Sequence, residues 1–525
     1  MAILQQLLAI LASLASAAAG SCGAALLAHT CEPNSDCEHT KGCAVLGSST
    51  SATTVEECCA LCAETVDCFV WTLNGDTQMC WLRTGSSAAH HGNCTTGIMP
   101  LPPPSLLRFE AAPTDLGQML GAAVNDNAES FYALPCAAAT CVFGKMDEHT
   151  AVWSAGAGWH RAANASAPAF LAPTGDTNAL RSLGNLSTQA FSPAASTFVG
   201  DSGQSLVTVS GAPPALRVAS ETPRAQMRYS GLPCAAYKHR IGSGGTVRLR
   251  GGTLLLQTVN FKCANDSSSN SVGHSTLGLY RSVDGGQLWT YASTVVSWHE
   301  TIGPDGTPED EGPNENDIVV LPSKGGVSVS GGEQLLVVVR ADSGDGVPRK
   351  LLRGYFVVKS NDGGETWGKP SPLVASNGVA AGSARPRLLL MGGDGGPLLL
   401  AGGRPGLFLW VNAASDGERW DAVNLAAAHN DALRAANASA SLEFCDAFVR
   451  DSLAHADTRT GIVKLSMAYT SLVATTHCTG MVVYGRAKFS DASSPECVAA
   501  ESTVFALPFA LSTPACSPQK RSFGK

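Results

Sequence analysis

An all-β body behind a small disulfide-rich head is what this 525-residue sequence predicts, and three observations carry the prediction. Ten of the 18 cysteines fall in the first hundred residues. From Ser105 onward, short apolar runs alternate with Gly, Pro, Ser and Asp, in a chain holding 55 Gly and 28 Pro. A turn pattern ending in tryptophan recurs along that stretch. Charged side chains make up 15% of the chain and hydrophobic ones 44%, which excludes a disordered polyelectrolyte. The net charge of −8 gives no electrostatic reason to expect nucleic acid or an anionic membrane as partner.

Taken in order, residues 1–20 read as a signal peptide, because Leu4 to Ala19 is apolar and ends in the small residues that suit cleavage near Ala19 or Gly20. The usual basic flank is missing, so an N-terminal anchor helix is the competing reading. Five Asn-x-Ser/Thr sequons, at Asn93, Asn164, Asn185, Asn265 and Asn437, agree with the cysteine count in pointing to the secretory route. The expected product is secreted or luminal, with no integral membrane segment in the mature chain.

Residues 22–99 form the head. Thr54, followed three residues later by Glu57, matches the capping box that starts a helix over Cys58-Cys59-Ala60-Leu61-Cys62. Cys68 to Leu73 and Met79 to Leu82 read as strands. Zinc is the alternative use of Cys58, Cys59 and Cys62, but no second Cys-x-x-Cys or His pair answers them at finger spacing. The even cysteine counts in head and body instead fit disulfides formed separately within each part. The Cys-Cys-x-x-Cys, Cys-Phe-x-Trp-Thr and Cys-Trp-Leu pieces together resemble the PAN/apple module, a small α+β unit. The resemblance implies a protein or carbohydrate ligand for the head. A proline-rich linker, residues 100–104, follows.

The body spans residues 105–516. Thr246–Leu249, Thr253–Leu256, Leu335–Val339 and Leu388–Leu390 are the clearest strand-like runs, and helical periodicity is almost absent. Ser282-Val-Asp284-Gly-Gly-Gln-Leu-Trp289 recurs as Ser360-Asn-Asp362-Gly-Gly-Glu-Thr-Trp367, with a degraded copy from Ser415 to Trp420. In such a turn the aspartate accepts backbone N–H bonds, a glycine takes positive φ and the tryptophan packs beneath. The pattern is the Asp box, and its repetition points to a β-propeller with four-stranded blades. Asp284 and Asp362 are thereby expected to be structural.

Four further pieces, over residues 237–512, resemble the sialidase family, a six-bladed propeller. They are His239-Arg240-Ile241-Gly242; Asn314-Glu315-Asn316-Asp317 with the run ending at Arg340; Gly403-Arg404-Pro405-Gly406; and Ala468-Tyr469-Thr470-Ser471-Leu472. Residues 105–235, which precede the first of them, are read as blades added on that side. The resemblance implies an exo-glycosidase releasing terminal sialic acid, needing no metal or organic cofactor. Three guanidiniums would hold the sugar carboxylate by charge-assisted hydrogen bonds. Arg240, Arg340 and Arg404 take those places, with Arg385 and Arg387 competing for the third. Because that carboxylate repels an anionic nucleophile, the family attacks with tyrosine; Tyr469 is the candidate. Its phenol titrates near pH 10 unaided, so Glu315 is assigned as its base. Asp266 is the nearest choice for the acid, although it sits inside the sequon at Asn265, and Lys262 stands near where the family carries an arginine. The rival from another class is a non-catalytic glycan-binding propeller that lacks a competent acid.

Overall fold

The computed structural model describes the chain in segments between Leu26 and Cys516. The longest stretches outside the described residues are 1–25, 32–49, 119–130, 164–196, 264–274, 302–311, 342–354, 450–468, 487–502 and 517–525, with shorter connections that include 241–244 and 404–405. The signal peptide, the Pro-rich linker, Asn265, Asp266 and Arg404 therefore lie outside them.

In the head, five strands form one sheet, with Val70–Asn74 between Met79–Arg83 and His90–Ile98. The capping box is realised: the Thr54 hydroxyl accepts from the Glu57 N–H at 3.2 Å, and the Glu57 carboxylate accepts from the Thr54 N–H at 3.3 Å. Residues 57, 58, 61 and 62 are helical, and Cys58 is bonded to Cys80 on the sheet. That staple closes a small core of Ala52, Cys62, Trp71, Leu73 and Leu82, as a unit with so little apolar area to bury requires.

The body is built of sheets that follow one another along the chain, antiparallel except where Arg228–Ser230 runs parallel to Leu288–Val296 at the edge of the third. Sheet I holds Phe131–Cys136, Ala139–Lys145, His149–Ser154 and Gly158–Ala163; sheet II holds Thr197–Asp201, Ser205–Ser210 and Arg217–Pro223. In sheet III the first strand is split into Ala236–Arg240 and Thr246–Arg248. Both pieces pair with Leu255–Cys263, and Thr276–Ser282 and Leu288–Val296 follow. Sheet IV contains Asn316–Val320, Leu335–Arg340, Tyr355–Ser360 and Ser371–Pro372. Sheet V contains Arg387–Leu390, Leu398–Gly403, Leu407–Asn412 and Asp421–Asn424. Sheet VI contains Thr470–Ala474, Thr479–Arg486 and Thr503–Leu511, and is completed by Leu107–Arg108 and Thr114–Gln118 from the start of the body. That pairing ties the two ends of the body together. Among the described residues, two disulfides lie within the body, Cys234 to Cys263 and Cys478 to Cys516.

The sheets stack face to face. Strand Leu335–Arg340 shows why its sequence is an unbroken apolar run. Leu335, Val337 and Val339 point into a core shared with sheet III, whereas Leu336 and Val338 point into a core shared with sheet V. Successive side chains of a strand face opposite ways, so a strand covered on both faces needs apolar residues at every position. Sheet V repeats this, sending Leu398 and Leu400 toward sheet IV and Leu399 and Ala401 toward sheet VI. Sheets VI and I share a further core containing Phe131, Val142, Val473 and Val483. The first strands of sheets II, III, IV, V, VI and I touch in that order. The architecture is thus all-β and propeller-like.

At the far ends of the third strands lie the recurrent turns. The Asp284 carboxylate accepts from the Ser282 hydroxyl at 2.8 Å and from the Gln287 and Leu288 N–H groups at 3.0 Å. Asp362 accepts likewise from Ser360 at 2.7 Å and from the Thr366 N–H at 2.9 Å. Gly364 has φ of +87°, and a Cβ there would lie 2.3 Å from the Leu279 side chain, so that position requires glycine. In the degraded copy the structure corrects the alignment. The residue that ends the third strand, as Ser282 and Ser360 do, is Asn412 and not Ser415, and its Oδ1 accepts from the Asp416 and Gly417 N–H groups at 2.7 and 3.0 Å.

The second strand of sheet III is described as Leu255–Cys263, and Thr253 and Leu254 lie outside the described residues. One other expectation shifts. A helix, Leu425–Ala435, follows sheet V, capped by the Asn424 side chain on the Ala427 N–H at 3.1 Å. It buries Leu425, Ala426, His429, Asn430 and Leu433. This spacing is helical, but two of the five residues are polar, which hides the period in a hydrophobicity reading. No helix among the described residues is long and apolar enough to cross a membrane. The disulfides are compatible with an extracellular protein.

Candidate active site

Each first strand of sheets IV, V and VI starts at the same rim, opposite the recurrent turns. Glu315 immediately precedes the first strand of sheet IV, and Tyr469 immediately precedes that of sheet VI. Arg340 ends the second strand of sheet IV, so its side chain shares the parity of Leu336 and Val338 and faces the sheet V side. Glu315 and Arg340 extend the ladder by one step beyond Asn316 and Val339, with the Arg340 N–H donating to the Glu315 carbonyl at 2.8 Å.

Their side chains meet. Tyr469 Oη donates to Glu315, with 2.9 Å to Oε1 and 3.1 Å to Oε2. Arg340 Nη1 donates to Oε2 at 2.7 Å, and its side chain is only 2% exposed. A phenol thus points at a carboxylate whose orientation a buried guanidinium fixes. This is the geometry in which a carboxylate can take the phenol's proton and turn it into a nucleophile.

Behind this pair lies a layer of buried polar groups. Asn316 Oδ1 accepts from the Thr258 hydroxyl at 2.5 Å, and its Nδ2 donates to the Asn314 carbonyl at 3.0 Å. Asn260 Nδ2 donates to the Pro313 carbonyl at 2.7 Å and to Ser275 at 3.2 Å. The two asparagines thereby hold the backbone on both sides of Asn314, next to Glu315. Asp317 accepts from its neighbour's N–H, Ile318, at 3.0 Å, and from the Leu388 N–H of sheet V at 2.9 Å. Burial pushes the Asp317 carboxyl upward. The Arg387 charge, the Leu388 and Ile318 N–H groups and the Arg385 charge act against that without cancelling it. Gly245 of sheet III packs against this carboxylate, since a Cβ there would sit 2.3 Å from Oδ1. Arg387 Nε donates to the Thr470 carbonyl of sheet VI at 3.3 Å.

Among the residues expected from sequence, Tyr469, Glu315 and Arg340 are brought into direct contact. Arg240 lies on the rim half of the split first strand of sheet III, in register with Asn260. Arg385 and Arg387 stand at the start of sheet V, 5% and 9% exposed. Asp266 and Arg404 fall outside the described residues. Trp298 and His299 meet with ring centroids 3.6 Å apart and planes tilted by 31° on a short turn of helix. Trp298 packs against Gly312, where a Cβ would lie 2.6 Å from the Trp298 Cβ. Sequence reasoning missed Asn260, Asn316 and Asp317 as site-building residues. For the last two the available signal was a polar pair opening a strand that continues Ile-Val-Val.

No family model and no curated protein matches the chain. Solved structures similar to it include a protein of unknown function from Dyadobacter fermentans, 14% identical over 78% of this chain and 100% of that one, with a TM-score of 0.39. Another is Trypanosoma rangeli sialidase in complex with the inhibitor DANA, 12% identical over 73% of this chain and 55% of that one, with a TM-score of 0.36. A third is the Hadza microbial sialidase Hz136, 10% identical over 81% and 71%, with a TM-score of 0.35. TM-scores this low carry no argument; fold and chemistry stand on the strand pairing and side-chain contacts above.

Proposed function

We propose that the body, residues 105–516, is a six-bladed propeller acting as a retaining exo-glycosidase of sialidase type, which releases terminal sialic acid or a related nonulosonic acid. The observation that carries this reading is the Tyr469–Glu315 contact beside Arg340. Glu315 takes the phenol proton as the Tyr469 oxygen attacks the anomeric carbon, and the bond to the leaving oxygen breaks as an acid protonates it. Water then cleaves the tyrosyl–sugar bond, adding its hydroxyl to the anomeric carbon and giving its proton to the acid that was deprotonated in the first step, and Glu315 returns the proton to Tyr469. Asp266 is proposed as the acid on sequence position alone. Arg240 and Arg340 bind the substrate carboxylate with a third arginine from the sheet V segment. Arg404 is the next residue in sequence after the second strand there, Leu398–Gly403, and Arg340 is the last residue of its own. Arg385 lies two residues before Arg387, which opens the first strand, and both are candidates within the described residues. The head, residues 22–99, is read as a PAN/apple-like module that tethers the secreted or luminal protein, through linker 100–104, to a protein or carbohydrate ligand. Its disulfide between a helix and a sheet supports that reading.

Release of the fluorophore from a fluorogenic sialoside, compared with Tyr469→Phe, tests the proposal. Turnover by the wild type that falls by about a thousandfold in the variant is expected, since the nucleophilic oxygen is lost. Retained sialoside binding with no turnover in either protein overturns catalysis in favour of a glycan-binding propeller.

A further inference from the structure

Glu315 and Tyr469 touch, yet they stand on sheets IV and VI, with the first strand of sheet V between theirs. These first strands are not ladder partners of one another, so no run of backbone hydrogen bonds sets their relative height. Apolar packing alone fixes such an offset poorly because it lacks direction, whereas a hydrogen bond tolerates only a narrow range of geometry. Two side-chain-to-backbone bonds span the gap. Asp317, two residues from Glu315, receives the Leu388 N–H of sheet V. Arg387, adjacent to Leu388, donates to the carbonyl of Thr470, adjacent to Tyr469. Each end of this relay lies within two residues of a reacting group.

Asp317 is 3% exposed, and its N–H donors and the Arg387 and Arg385 charges do not cancel the cost of removing its charge from water. We propose that Asp317 and Arg387 are positioning residues, which clasp sheet IV to sheet V and sheet V to sheet VI and so set the Tyr469–Glu315 contact. The inference rests on reading Tyr469 and Glu315 as the reacting pair. It also assigns Arg387 to the frame, leaving the ligand role on this segment to Arg385.

Asp317→Asn and the milder Arg387→Lys, made in the full chain, test it. Asp317→Asn is expected to lower kcat by about a hundredfold, and Arg387→Lys by about tenfold, with KM within about threefold, as a small misplacement of reacting atoms does. Added to Tyr469→Phe, neither should reduce the residual activity further, because both act through that tyrosine. A lower melting temperature with kcat per folded molecule unchanged, a rise in KM alone, or losses that add to those of Tyr469→Phe would overturn the proposal. If the wild type turns over no sialoside, the functional reading fails, and the clasp is judged by crystal structures. The Tyr469 Oη–Glu315 separation should open beyond hydrogen-bonding distance in either variant, and an unchanged contact in both sinks the inference.

Discussion

Asp362, two residues beyond strand Tyr355–Ser360, and Asp317, the second residue of strand Asn316–Val320, both belong to sheet IV, yet their carboxyl groups are displaced in opposite directions. At Asp362 burial pushes upward, but the hydroxyl and N–H of Thr366, the Ser360 hydroxyl and the Glu365 N–H together outweigh it and bring the group down to about 2. At Asp317 burial prevails over its donors and the neighbouring arginines. The partners differ in kind. The donors to Asp362 lie within four residues of it and form one closed turn. The interstrand donor to Asp317 lies 71 residues away on another sheet. A carboxylate satisfied locally stabilises a turn wherever that turn occurs. One satisfied across sheets ties distant parts of the chain to a common geometry, which is what a site built at a rim needs.

Glu315→Gln and Asp362→Asn should break apart on this line, and the effect is the largest expected here. Removing the rim carboxylate takes away the proton acceptor for Tyr469, so kcat for sialoside cleavage should fall by a factor of about 100 to 10,000. Asp362→Asn, at the opposite edge, should leave kcat unchanged and lower only the unfolding temperature. Steady-state kinetics beside thermal denaturation decide it. Equal losses of activity in both variants would mean that the two edges do not divide the labour in this way.

The same division explains what the sequence could disclose. The turns were legible because the donors to each aspartate are local, and Ser360, Asp362 and Trp367 occupy fixed offsets that recur from Ser282. The buried strands were legible from composition, since a strand covered on both faces reads as Leu-Leu-Val-Val-Val. Tyr469, Glu315 and Arg340 were reached by resemblance, but no local pattern puts a tyrosine 154 positions away against Glu315. The clasp was hidden for that reason, because one member of each bond is a backbone group, at Leu388 and Thr470, that carries no sequence signature. Asn412 was hidden for a subtler one. It does the work of Ser360 with a different side chain, three residues before the serine that looks equivalent.

The support behind the rim should also respond to acid before the turns do. His429 on helix Leu425–Ala435 is buried, with Nε2 2.9 Å from the Leu442 carbonyl and Nδ1 2.8 Å from the Tyr484 hydroxyl. A carbonyl only accepts, so Nε2 carries the proton and Nδ1 accepts from Tyr484. Tyr484 is in turn the ladder partner of Thr470, the residue that Arg387 holds. Burial brings His429 down to about 4; the Leu442 carbonyl opposes this, and the Arg486 charge adds to it. Between about pH 6.5 and 4 the unfolded chain therefore binds a proton that the folded one refuses, and stability falls as pH falls through that window. At about 1.4 kcal/mol per unit the loss approaches 3 kcal/mol. In His429→Gln the dependence of unfolding free energy on pH over that range should flatten. An unaltered slope would show that the titration lies elsewhere.

Asp362 supplies the last and smallest step, at lower pH. Its folded value of about 2 lies below the ordinary 3.8, so the stability it contributes is fully present above about pH 4. It is lost as pH falls from there toward 2, where the folded state too takes up the proton. The carboxylate is partly open to water, and screening limits the effect to about 1 kcal/mol or less. Asp284 is lowered for the same reason, by the Leu288 and Gln287 N–H groups and the Ser282 hydroxyl against the pull of burial, and its contribution is likewise lost as pH falls below the ordinary carboxylate value. Acid unfolding of Asp362→Asn, followed by tryptophan fluorescence because Trp367 packs under this turn, should show less pH dependence below 4 and the wild-type dependence above it. A variant that instead lost the slope between 6.5 and 4 would place the turn in the cooperative unit of the rim, and the two edges would no longer be energetically distinct.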